Sequence, residues 1–205
     1  MQHDHEDILK EVESRTWFHR FELLPGLWSP GRLDVEPSEA LNLSSIPEDL
    51  TGARVIDIGA LDGVYSIEFA RRGASVVAVD IQDPDRTGFS IARKLKGANV
   101  EYVRKSVYEL DSNELGTFDI VWYWGVFYHL KEPMIGFRKI YDIMDTKSVL
   151  YYEGEVLDYA FVHEPSLKKY KKIFAKSKEL PIAYFTSGAF AKDSSNWYIP
   201  NAACL

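Results

Sequence analysis

With 205 residues, 46% of them hydrophobic and 27% charged, the chain can bury one sizeable core but not two full domains, and it is too apolar to be disordered. Its formal net charge of −7 argues against a broad nucleic-acid-binding surface and leaves room only for a local basic patch. A single cysteine, Cys204, excludes an intramolecular disulfide framework and fits a reducing compartment. The acidic Met1–Asp7 stretch carries no apolar signal segment, and no window nears 18 apolar residues, so a soluble, cytoplasmic protein with no membrane partner is expected.

In chain order, Ile8, Leu9 and Val12 fall at helical spacing and predict a short amphipathic helix over 5–15. An aromatic segment from Trp17 to Leu23 and the turn-rich Leu24–Gly31 follow, suggesting a hairpin or irregular cap. From Ala53 the pattern alternates: strand 53–58, helix 63–73, strand 75–80, helix 86–96, strand 99–104, strand 118–123, helix 131–145 and strand 147–154. The runs at 54–58, 75–79 and 119–124 are almost continuously apolar, as when helices cover both faces of a parallel sheet. The fold class is therefore α/β, a Rossmann-like, doubly wound, mostly parallel sheet. Three portions are expected: an N-terminal helix and aromatic cap (1–50), a cofactor-binding core (51–155) and a C-terminal lid segment (156–205). The last portion holds six lysines in the twelve positions from Leu167 to Lys178, read as the solvated face of a lid helix or, more sharply, as a phosphate or RNA contact. Pro200 reads as the first residue of a helix, which suggests a truncated version of a longer protein.

The stretch Arg54-Val-Ile-Asp-Ile-Gly-Ala-Leu-Asp-Gly63 followed by Val76-Val-Ala-Val-Asp80 is a strand, a glycine turn, a helix and a second strand ending in a carboxylate, half of a nucleotide-binding unit. Asp57, two residues before the first glycine, can receive a cationic amino-acid moiety, which S-adenosylmethionine has and NAD lacks. A pyrophosphate would want bare backbone N–H groups where Leu61 and the anionic Asp62 stand. Gly59, Ala60 and Gly63 let the backbone approach the ligand; a plain ligand-free turn is the bland alternative. Asp80 can take both ribose hydroxyls and Ile81 can pack on adenine. A solvated strand-end carboxylate is the rival there. Ser106 and Val107 follow the third strand, where such folds touch the adenine amino group. Trp124 and Gly125 would set an aromatic face and bare backbone against the sulfonium.

On the acceptor side, Tyr128 and His129 are the candidate catalytic residues, His129 as general base toward a hydroxyl or phenol, or else as a helix-capping histidine. Trp17, His19, Asn196 and Trp197 are candidate substrate residues; for Trp17, packing is slightly favoured. No metal-ligand pattern is picked out, and nothing in the sequence fixes an oligomeric state.

Asp57-Ile-Gly-Ala-Leu-Asp-Gly63, Asp80 and Phe118-Asp119 resemble the class I S-adenosylmethionine-dependent methyltransferases over about residues 50–155. Trp17-Phe-His19, Leu24-Pro-Gly26, Ser29-Pro-Gly31, Gly125-Val-Phe-Tyr-His-Leu130 with Pro133, and Asn196-Trp-Tyr-Ile-Pro-Asn201 more narrowly resemble the tRNA wobble-uridine 5-oxyacetic-acid (mo5U34) methyltransferase-like family. That resemblance implies a seven-stranded sheet and an acceptor entering over the same edge. Members acting on tRNA use carboxy-S-adenosylmethionine, its extra carboxylate held by a lysine, a tyrosine and an arginine. Tyr128 matches the tyrosine; no lysine stands near Trp17, and the arginine's strand falls beyond Leu205. The expected function is methyl transfer from S-adenosylmethionine, O-methylation favoured, to tRNA or a small molecule. A non-catalytic S-adenosylmethionine-binding module and an NAD-dependent oxidoreductase are the alternatives.

Overall fold

The computed structural model describes residues 2–159, 165–177, 179–186 and 193–205. The chain divides into two compact units, the first made of residues 1–122 and 139–151, the second of 123–138 and 152–205.

In the first unit, helix α1 (Gln2–Glu13) leads into four short strands: β1 (His19–Arg20), β2 (Glu22–Leu24), β3 (Leu27–Trp28) and β4 (Leu33–Asp34). β2 and β3 form the expected hairpin, turning at Gly26 with φ +81°. β1 and β4 pair in parallel, which the turn-rich sequence does not announce. Helix α2 (Pro37–Leu43) was not expected, although Pro37 occupies a first-turn position and the Glu36 side chain caps the helix.

Strand β5 (Arg54–Ile58), helix α3 (Val64–Arg71), strand β6 (Ser75–Asp80), helix α4 (Phe89–Lys96) and strand β7 (Val100–Arg104) follow, close to their predicted bounds. After a short helix α5 (Ser112–Leu115) come strand β8 (Phe118–Trp124), helix α6 (Pro133–Asp142) and strand β9 (Met144–Glu153). The sheet order is β7-β6-β5-β8-β9, and the β5–β6, β6–β7 and β5–β8 pairs are parallel. Val55, Ile56, Val76, Ala78, Val79, Val121 and Trp122 are all buried, which explains their unbroken apolar runs. The order reverses between β5 and β8, and ligands of such sheets bind outside the strand ends at this switch point. A packed apolar cluster joins Val12, Phe21, Leu23 and Leu27 to Val64, Ile67, Ile91 and Ala92, so the N-terminal strands pack against α3 and α4.

The second unit holds the ends of β8 and β9, the turn Phe127–His129, a 3₁₀ stretch Pro165–Tyr170, helix α7 (Lys171–Ser177) and a hairpin of β10 (Ala183–Phe185) with β11 (Tyr198–Pro200). Leu157, Leu167 and Ile199 form its small core with Phe174 against them. Pro200 starts no helix: it ends β11, paired with Ala183. Ile199 and Pro200 are both buried there, so pairing with β10 and burial in the unit's small core hold this segment extended. No helix among the described residues is long and apolar enough to cross a membrane. Lys178 of the lysine run lies outside the described residues.

Candidate donor and acceptor sites

The glycine turn after β5 is held from both sides. Gly59 and Gly63 have φ of +83°, and Leu61 adopts φ +50°, a left-handed conformation that costs a leucine about 1 kcal/mol or more. The amides of Gly59 and Ala60 donate to the Val79 carbonyl at 2.7 and 3.3 Å, tying the turn to the end of β6. The Leu61 amide donates to Asp80 Oδ2 at 2.9 Å, and the Gln82 amide donates to Oδ1 at 2.8 Å. Asp80 therefore fixes the strained turn, while each carboxylate oxygen keeps acceptor capacity for a further donor. Beside it Ile81 is 65% exposed, an apolar side chain left at the strand end.

Asp57, within β5, is 3% exposed and accepts a 2.5 Å hydrogen bond from the Ser66 hydroxyl on α3. Burial raises its carboxyl to about 7; the nearby Asp80 charge adds to the rise, while Ser66 and His19 oppose it. A carboxyl so desolvated is poised to ionise against an incoming cation. Helix α3 begins directly at Gly63, where a side chain would strike the Phe89 ring with its Cβ at 2.7 Å. Ser106 and Val107 sit after β7 as the N-cap and first residue of a 3₁₀ turn. Ser106 accepts from the Tyr108 amide and Glu109 closes the capping box. Val107 is buried.

Asp62 ties the turn to the N-terminal segment. Fully buried, it accepts from the amides of Phe18 and His19 at 2.9 and 2.8 Å, and its other oxygen lies 2.6 Å from His19 Nδ1. The aromatic N-terminal segment is thus bonded to the glycine turn itself. His19 also stands edge-on to Tyr65. Trp17 lies over Gly88, and its indole N–H donates to the Val12 carbonyl at 2.8 Å. Thr16 adds a parallel bridge to Thr87, anchoring the same segment to the start of α4. Sequence reasoning did not find Ser66 or these anchors. Ser66 lies nine residues from Asp57, beyond the glycine turn, and no spacing rule links the two, whereas Asp62 was visible but its partners were 43 and 44 positions away.

In the second unit, the Gly125 amide donates to the Glu153 carbonyl, and Gly125 has φ +72°. A Cβ at Gly125 would approach the Tyr128 hydroxyl and Glu153 carboxylate at 3.5 and 4.0 Å, so both groups face this bare backbone. Burial raises the Tyr128 phenol, with Glu153, Glu155 and Asp193 adding to the effect. Burial likewise raises Glu153, Glu155 adding to it. The Tyr128 carbonyl accepts from the Trp197 amide at 2.7 Å, which brings Trp197 to the Tyr128–His129 turn. Lys131 stacks over the Trp197 ring at 4.6 Å. Asn196 is buried next to it. His129 is half-buried; its Nδ1 lies 3.0 Å from the Ser195 hydroxyl, which donates to Asp193 at 2.5 Å. Burial lowers the imidazole, and the Asp193 charge opposes the shift. Asp193 and Ser195 carry no sequence signal, since an Asp-Ser-Ser run reads as a plain loop.

Of the expected residues, Asp57, Gly59, Ala60, Gly63, Asp80, Ile81, Ser106, Val107, Trp17 and His19 belong to the first unit. Trp124, Gly125, Tyr128, His129, Asn196 and Trp197 belong to the second.

Residues 56–152 match the family model described as a methyltransferase domain, a span that runs from β5 to β9. Over 119 residues the chain is 31% identical to the ubiquinone biosynthesis O-methyltransferase of Hahella chejuensis, covering 56% of this chain and 50% of that protein. It is 38% identical over 99 residues to the magnesium-protoporphyrin O-methyltransferase of Rhodobacter capsulatus, covering 47% of this chain and 42% of that protein. The chain spans about half the length of these curated relatives. Among solved structures, the N-terminal domain of EvdMO1 with SAH bound superposes with a TM-score of 0.61 at 23% identity, covering 73% of this chain and 64% of that one. Coclaurine N-methyltransferase does so with a TM-score of 0.57 at 15% identity, covering 82% of this chain and 45% of that one. The fold is the Rossmann-like α/β fold of the class I methyltransferases.

Proposed function

We propose that the chain is an S-adenosylmethionine-dependent methyltransferase that O-methylates a small molecule. The observation that carries this is the buried Asp57 carboxyl, raised to about 7, beside a positive-φ turn pinned by Asp80 at the sheet's switch point. A ligand with an ammonium group near Asp57 restores its charge, and a diol near Asp80 meets carboxylate oxygens with acceptor capacity to spare. The residues therefore fit the donor. Asp57, Gly59, Ala60 and Gly63 hold its methionine part, Asp80 its ribose, and Ile81, Ser106 and Val107 its adenine. Trp124 and Gly125 serve the sulfonium. When bound, S-adenosylmethionine supplies a methyl group on a sulfonium centre.

On the acceptor side we assign Tyr128 to orienting the hydroxyl and His129 to taking its proton. A lowered imidazole is neutral near pH 7, the form a base needs. Asn196 and Trp197, held at the same turn, are assigned to acceptor recognition, and Trp17 and His19 to supporting the donor turn. The names of the curated relatives support O-methylation of a small molecule. A second reading, methylation of tRNA within the mo5U34-like group, draws on Tyr128 and on the exposed Lys168, Lys169, Lys171 and Lys172. Carboxy-S-adenosylmethionine would then replace the plain donor. Incubation with methyl-labelled S-adenosylmethionine separates them. Label in a small-molecule extract and none in total tRNA supports the first, label in tRNA the second, and label in neither with every acceptor class offered removes the activity.

A further inference from the structure

His129 is held by a chain of two hydrogen bonds with a defined direction. The Asp193 carboxylate can only accept, so the 2.5 Å contact must be donated by the Ser195 hydroxyl. With its single proton committed there, Ser195 Oγ has only lone pairs to offer at 3.0 Å to His129 Nδ1. That nitrogen must therefore carry a hydrogen, and a neutral imidazole with a proton on Nδ1 has its lone pair on Nε2. The Tyr128–His129 turn is itself fixed by the Trp197 amide, two residues beyond Ser195, so the segment that bears the serine also sets the backbone of the histidine.

From this geometry we infer that Asp193 and Ser195 are positioning residues, a carboxylate–hydroxyl relay that holds His129 as the Nδ1–H tautomer and so puts the proton-accepting lone pair on Nε2. The inference rests on the proposed role of His129 for its catalytic meaning, but the tautomer itself is a property of the second unit alone. Among the described residues, the Asp193 charge acts on His129, Glu153, Glu155 and Asp193 act on the neighbouring Tyr128 phenol, and Lys131 stands over the Trp197 ring held at the same turn.

Nitrogen-15 NMR of histidine-labelled full-length protein at pH 8 reads the tautomer without substrate. The wild type is expected to show a pyrrole-type Nδ1 and a pyridine-type Nε2 for His129. Ser195→Ala is expected to shift most of the population to Nε2–H, and Ser195→Thr, which keeps the hydroxyl, to restore the wild-type pattern. Asp193→Asn is expected to lower the His129 titration midpoint, because the opposing negative charge is gone. A wild-type imidazole with its proton on Nε2 overturns the relay, as does a tautomer indifferent to Ser195→Ala. Methyl-transfer kinetics are a separate arm. A Ser195→Ala enzyme with lower kcat, unchanged KM and rescue by Ser195→Thr supports the relay. If His129→Gln turns over like wild type while the tautomer is as stated, the base assignment fails and the relay stands.

Discussion

Asp57 is where one side chain decides most. Its folded carboxyl holds a proton up to about pH 7, against an ordinary value of 3.8, chiefly through burial. The sign follows from linkage: the folded state binds the proton more tightly than the unfolded one, so the stabilisation is complete below about pH 4 and is lost as pH rises toward 7. Donor binding has the opposite slope, because the ammonium needs the carboxylate. Between pH 6 and 8 the ionised fraction climbs from about one tenth to about nine tenths, so affinity for S-adenosylhomocysteine should rise by up to about tenfold. Calorimetry across that range checks it, and Asp57→Asn should flatten the slope while leaving the ligand-free protein at least as stable at pH 8. An affinity independent of pH in the wild type would remove Asp57 from the ammonium. The sequence disclosed Asp57 and its place before Gly59, but not its depth of burial or its bond to Ser66. Those depend on α3 packing back onto β5, a tertiary fact without a local pattern.

Among the elements, the join between the N-terminal strands and the donor turn matters most. Asp62 receives two backbone amides and His19 from a segment more than forty residues earlier. Replacing it with alanine leaves buried donors without their acceptor, a loss of about 3 kcal/mol. Urea unfolding of Asp62→Ala should register that loss, and donor affinity should fall with it because Leu61 stands next to the released position. Full stability in this variant would mean the N-terminal strands are held by their apolar contacts alone. Central strands β5, β6 and β8 were legible because both faces are covered and the apolar run is unbroken. The parallel β1–β4 pair was not, since two-residue strands leave no periodicity to read. Pro200 misled for a related reason: proline is compatible both with a first helical turn and with a strand position that gives no ladder hydrogen bond.

For the whole molecule, net charge and local charge point in different directions about the acceptor. The chain carries a net charge of −7, yet Lys168, Lys169, Lys171 and Lys172 are all exposed on one short segment. If the acceptor is a small molecule, changing all four to glutamine should leave kcat/KM unchanged and its salt dependence shallow. If it is tRNA, the same changes should weaken binding and reduce the salt slope by about one for each phosphate contact removed. Composition could exclude a broad basic surface but could not say whether a local one is used. The proposed donor residues could be named from the sequence because most of them stand in one turn and at the strand ends around it. On the acceptor side Tyr128, His129, Asn196 and Trp197 could be named as well, whereas Asp193 and Ser195 could not, because the Ser195–His129 contact joins positions 66 residues apart.

Titration of the full chain with S-adenosylhomocysteine, in parallel with NADH, tests the proposed donor site most directly. Saturable one-site binding of the sulfur ligand, weakened at least about tenfold by Asp80→Ala through loss of charge-assisted hydrogen bonds, with no response to NADH, is the result predicted. Saturation by NADH with no heat from S-adenosylhomocysteine or S-adenosylmethionine would contradict it.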